Sequence, residues 1–103
     1  MGFRWTRTAH IANGKFQEAI SWSKEIAGYC EKKYNTGKIC TFVNAIGPLG
    51  TLHWQVDYPT LAEFERVQTA MLTDPDYWKY VNKAMTNTLF IDGRTEDKLT
   101  REV

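Results

Sequence analysis

Residues 38–58 read KICTFVNAIGPLGTLHWQVDY, and the way this stretch folds decides the architecture of the chain. Leu52, Trp54, Val56 and Tyr58 alternate with His53, Gln55 and Asp57, so residues 51–58 have one apolar side and one polar side, the period of two expected of a strand. Residues 38–46 are rich in β-formers. Gly47-Pro48-Leu49-Gly50 between them reads as a turn, so the two segments form a hairpin. With a four-residue turn pairing Ile46 with Thr51, Ala45 opposes Leu52, Val43 opposes Trp54, Thr41 opposes Val56 and Ile39 opposes Tyr58. That face is apolar on both strands, and a one-residue slip would mix the faces. The other face pairs Asn44 with His53, Phe42 with Gln55 and Cys40 with Asp57.

Upstream, residues 3–11 alternate loosely and read as a strand. Phe3, Trp5, Ala9 and Ile11 share one side with Arg7, and Arg4, Thr6, Thr8 and His10 share the other. Asn13-Gly14 ends it. Residues 15–34 form a helix with Phe16, Ile20, Ser23, Ala27, Cys30 and Tyr34 on one stripe, Ala19 and Ile26 widening it and Trp22 at its margin. Asn35-Thr36-Gly37 stops this helix. Downstream, Thr60 and Glu63 make a capping box for a helix whose stripe is Leu61, Phe64, Met71 and Leu72. Asp74 and Pro75 start a third helix as N-cap and first helical residue, with Trp78, Val81, Met85 and Leu89 on one face. Residues 94–103 read as an edge strand, with an unstructured polar tail as the alternative. The order β-α-β-β-α-β, with the second helix broken in two, predicts an α+β, ferredoxin-like fold, in which helices cover one face of a four-stranded antiparallel sheet. The other face carries Thr6, Thr8, His10, Phe42, Asn44, His53, Gln55 and Asp57.

The bulk properties agree with one domain spanning residues 1–103. The 103 residues are 43% hydrophobic and 14% aromatic, enough for a core. Thirteen Lys and Arg against 12 Asp and Glu leave a net charge of +1 and no basic stripe, which argues against nucleic acid. No apolar run reaches membrane-spanning length, and MGFRWTRTAH has no signal-like apolar core, so a cytoplasmic protein is expected. Cys30 and Cys40 lack metal or redox spacing and read as reduced thiols. There is no phosphate-binding glycine loop, G-x-S-x-G, H-E-x-x-H or dinucleotide fingerprint, and no metal or cofactor is expected.

The stretch from Gly47 to Trp78, GPLGTLHWQVDYPTLAEFERVQTAMLTDPDYW, resembles the dimeric α+β-barrel superfamily, nearest its NIPSNAP-like and antibiotic-biosynthesis-monooxygenase-like branches. The glycine turn, the strand ending in Asp57-Tyr58, the T-L-A-E-F-E helix start and Asp74-Pro75 ahead of an aromatic carry the likeness. It implies a homodimer whose two sheets pack face to face, so that a second subunit covers the polar face with Phe42. It also implies cofactor-independent oxygenation or cyclisation of an aromatic or polyketide-type metabolite as one function. A non-catalytic accessory or scaffold dimer is a second. Haem binding or degradation is a third, although both histidines fall on strands and not on the helix position that the haem-degrading branch uses.

Two groups of side chains are candidates for chemistry. With strands one and three taken as parallel neighbours, His10 and Asp57 lie at the same end, and Asp57 could orient His10 as a general base. His53, Asn44 and Arg4 could hold an anionic or carbonyl-bearing ligand, with Gln55 beside them. Trp22 and Trp54 could stack on a flat small organic molecule in the cleft between sheet and helices. The alternatives are an interface hydrogen bond for the first group, a polar dimer-interface cluster for the second and core packing for the tryptophans.

Overall fold

A computed structural model describes residues 2–103. Its elements are β1 (Phe3–His10), α1 (Phe16–Tyr34), β2 (Cys40–Val43), β3 (Thr51–Tyr58), α2 (Leu61–Leu72), α3 (Pro75–Thr86) and β4 (Glu96–Arg101). The four strands form one sheet in the order β2-β3-β1-β4, antiparallel throughout. The helices lie on one side of it. This is the ferredoxin-like α+β arrangement the element order predicts, and residues 96–101 form its edge strand.

The pleat sorts the side chains as expected. Leu52, Trp54, Val56 and Tyr58 of β3 and Trp5 and Ala9 of β1 are buried together with Ala19, Ile26, Cys30 and Tyr34 of α1. Ser23, at the centre of the α1 stripe, is fully buried and returns its hydroxyl to the Ala19 carbonyl at 2.6 Å. Helix α1 ends on Asn35 in the left-handed conformation, its N–H bonded to the Glu31 carbonyl. The Thr60 hydroxyl caps α2 by accepting from the Glu63 N–H at 3.2 Å, while the Glu63 carboxylate accepts from Arg66 instead of closing the box. Asp74 caps α3 by accepting from the Asp76 N–H at 3.0 Å, with Pro75 in the first turn.

Several expectations are corrected. Phe16 of the α1 stripe and Leu61 and Leu72 of the α2 stripe are exposed, and Val67 is the buried residue of α2. Strands β1 and β3 are antiparallel, with Phe3 opposite Tyr58 and His10 opposite Thr51. The β1-α1-β2 crossover makes β1 and β2 run the same way, so β3, which returns from β2 and inserts between them, runs against both. The hairpin register is displaced by two residues: Val43 opposes Leu52, Phe42 opposes His53, Thr41 opposes Trp54 and Cys40 opposes Gln55. The loop is longer than a four-residue turn because the Asn44 side chain folds back to the Pro48 carbonyl, at 3.0 Å, and takes over the turn. A two-residue shift preserves the faces, as the period of two requires. In α3 the buried residues are Tyr77 and Ala84, while Trp78 and Met85 are 41% and 68% exposed. Tyr77, Val81 and Ala84 form an apolar stripe as good as the expected one, and Trp78 turns outward to donate its indole N–H to the Leu72 carbonyl at the α2–α3 corner.

Candidate functional site

The polar candidates share the open face of the sheet, and the two tryptophans lie on its helix side. On the open face, antiparallel pairing puts Arg4 opposite Asp57 and Thr8 opposite His53. Arg4 grips Asp57 through Nε and Nη2 at 2.8 and 3.2 Å. This hydrogen bond, with the attraction of the opposite charge, lowers the Asp57 pKa and raises that of Arg4. His10 lies at the other end of β1, opposite Thr51. The His10–Asp57 pair expected from parallel strands is therefore not formed, and Arg4 lies with Asp57 and not with the His53 group.

His53 and Asn44 do meet. The Asn44 amide nitrogen donates to the Pro48 carbonyl, so its oxygen accepts from His53 Nε2 at 2.8 Å. The other ring nitrogen, Nδ1, lies 2.9 Å from the Thr8 hydroxyl. With Nε2 carrying the proton, Nδ1 of a neutral ring accepts from Thr8. Thr8 is the member of this chain that the sequence reading left aside. Gln55 lies between Thr6 on β1 and Cys40 on β2. Phe42, opposite His53, is 49% exposed.

On the helix side of the sheet is a cavity of about 380 Å³. Trp22 and Trp54, expected to stack on a ligand, both line it, with Phe90. The three rings meet edge to face, with centroid distances of 6.2 Å for Trp22–Trp54, 5.4 Å for Trp22–Phe90 and 5.9 Å for Trp54–Phe90, the arrangement that the ring quadrupole favours. Trp22 is not a surface contact: it is half-buried and held by an indole bond of 2.8 Å to the Tyr80 carbonyl. Trp54 is buried, and its indole N–H has no partner among the described residues.

The wall is largely apolar, with Arg7 and Asp92 as its charged residues and Thr36, Thr88 and Thr95 among its hydroxyls. Arg7 projects from the apolar face of β1 and lines the cavity. Its Nε and Nη2 donate to the two oxygens of Asp97 on β4, at 2.7 and 2.8 Å. Its Nη1 lies 3.4 Å from the Tyr77 hydroxyl, and its plane covers Trp5 at 5.1 Å from the ring centroid. Burial works against the guanidinium's charge, but the hydrogen bonds to Asp97 and Tyr77 and the attraction of the Asp97 carboxylate outweigh it and raise its pKa. Burial raises the Tyr77 pKa, so this hydroxyl stays protonated. The sequence carried one sign of this group: an arginine among Phe3, Trp5, Ala9 and Ile11.

Among the described residues, no three His, Cys, Asp or Glu side chains cluster closely enough to hold a metal ion. No helix among them is long and apolar enough to cross a membrane.

The fold and its cavity define an α+β protein of the ferredoxin-like class. The NIPSNAP family model matches residues 6–99, and the chain belongs to that family. It is similar to a NIPSNAP family protein from Agrobacterium tumefaciens, with 19% identity over 97% of this chain and 91% of the other and a TM-score of 0.77. It is also similar to an uncharacterized NIPSNAP domain protein from Burkholderia xenovorans, with 13% identity over 98% and 94% and a TM-score of 0.79. An antibiotic biosynthesis monooxygenase shares the fold, with 12% identity over 98% of both chains and a TM-score of 0.71. No curated protein matches the chain.

Proposed function

We propose that this protein binds a small, flat organic molecule in the cavity between its sheet and helices, and that a second copy covers the open face of the sheet. The observation that carries this reading is the cavity itself, about 380 Å³ with Trp22, Trp54 and Phe90 on its wall. That volume lies within the roughly 300–1,000 Å³ of ligand pockets. Edge-to-face rings leave flat π surfaces for an aromatic or polyketide-type metabolite to lie against. If the bound molecule reacts, the reaction is a cofactor-independent oxygenation or cyclisation, in keeping with the monooxygenase that shares the fold. The open-face groups Arg4, His10, Asn44, His53, Gln55 and Asp57 then belong to the subunit interface. Neither histidine lines the cavity, which favours this reading over haem chemistry.

The test is a titration of the full chain with flat aromatic probes, read by tryptophan fluorescence and calorimetry. Saturable binding that weakens at least ten-fold in Trp22→Ala supports the reading. No binding across the panel would reduce the protein to a scaffold whose cavity is a packing defect.

A further inference from the structure

Resting on the ligand-binding reading above, we infer that the molecule taken by the cavity is an apolar carboxylic acid, whose carboxylate is read by Arg7 and Tyr77.

A guanidinium carries five N–H donors in a fixed fork. Asp97 takes the Nε–H and one Nη2–H, and Tyr77 receives one Nη1–H over a long 3.4 Å. Two of the five therefore have no acceptor among the described residues, although Arg7 lines a largely apolar cavity with Trp5 and Tyr77, whose other charged residue, Asp92, makes no hydrogen bond to it. The Tyr77 hydroxyl accepts from Arg7 but donates to nothing among the described residues. Arg7 and Tyr77, 3.4 Å apart and both lining the cavity, thus hold three donors with no acceptor among the described residues.

A carboxylate suits this geometry better than a neutral carbonyl. It offers two oxygens to two nitrogens and a hydroxyl, and charge-assisted bonds of this kind are about twice as strong as neutral ones. Asp97 shows the preference: the guanidinium already holds one carboxylate through two bonds of 2.7 and 2.8 Å. Asp97 is outside the wall, on the exposed edge strand β4. It orients the fork and partly neutralises it, so it also competes with a ligand for the same charge. The body of the acid would lie along Trp22, Trp54 and Phe90.

The experiment compares 2-naphthoate with 2-naphthamide, which has nearly the same shape without the charge, by calorimetry near pH 7 on the full chain. The wild type should bind the acid at least about ten-fold more tightly than the amide, the ratio expected of a charge-assisted bond. Asp97→Asn frees the guanidinium on a strand already exposed, so it should tighten the acid several-fold and leave the amide unchanged. Arg7→Gln should bring the two ligands level. Equal affinities in the wild type would overturn the carboxylate assignment and leave the cavity as a neutral-ligand site. An Asp97→Asn variant with unchanged or weaker acid binding would overturn Arg7 as the reader, even if Arg7→Gln fails to fold. Failure of both ligands to bind would overturn the cavity reading together with this one.

Discussion

The Tyr29 hydroxyl on α1 donates a 2.5 Å hydrogen bond to Oδ2 of Asp74, and Tyr34, one turn on, donates another of 2.6 Å to the same oxygen. The other oxygen caps α3. One carboxylate therefore ties two helices together and starts one of them. The bonds from Tyr29 and then Tyr34 pull the Asp74 pKa from 3.8 to about 2. A pKa depressed by folding contributes stability that is present above the unfolded value and lost as pH falls through the folded one. Asp74→Asn should unfold several degrees below the wild type at neutral pH, and the gap should close between about pH 4 and pH 2. The Asp74 bond also pushes the Tyr29 pKa from 10.0 to about 12, so the same tie should weaken as pH rises through that range. Urea denaturation across pH measures both limbs.

His10 and Asp57, at opposite ends of adjacent antiparallel strands, should be energetically independent. The stability changes of His10→Ala and Asp57→Ala should add to within about 0.5 kcal/mol in the double variant. A larger coupling would mean that the two residues interact.

Leu52 is fully buried on the central strand β3. Leu52→Ala should cost about 2–5 kcal/mol, the range for a buried leucine whose site collapses only partly. Chemical denaturation of the purified chain measures it.

Burial pushes the Cys30 thiol up to about 12, and the thiolate is the reactive form. A Cys40→Ser chain should therefore show no thiol reactive to Ellman's reagent near pH 8 while folded, and one in denaturant. Reaction in the folded state would mean that the core around Cys30 opens.

The proposed second copy predicts a mass in light scattering of twice the chain. Thr6 sits mid-face between Gln55 and Lys98. Thr6→Arg would set a third cation beside Lys98 and near Arg4 and should leave a folded monomer. An unchanged dimer would assign the interface to another surface.

The faces of the strands were legible in the sequence because a period of two survives any even shift of register: Leu52, Trp54 and Val56 are buried whichever residues of β2 oppose them. The register itself was not, because it depends on the Asn44 side chain replacing a backbone turn. Asp74 was legible as a cap from Asp-Pro, but its two tyrosine partners come from a helix 40 and 45 positions away. The ligand group divided in the same way. Trp22 and Trp54 could be foreseen as ring surfaces, whereas Arg7 gains its meaning from Asp97, 90 positions downstream. Interactions between residues close in sequence leave spacing patterns, and pairings across the sheet do not.

The 2.8 Å hydrogen bond from the Glu102 N–H to the Gly2 carbonyl brings the two ends of the described chain side by side. Far from them, Ile46 and Leu49 on the β2–β3 loop are 95% and 91% exposed. A covalent bridge of a few glycines between the ends would only replace a contact already made, and a cut between Ile46 and Leu49 would sever no core packing. The domain is therefore suited to circular permutation, with its order of synthesis rearranged to begin at β3 and finish at β2 around an unchanged sheet.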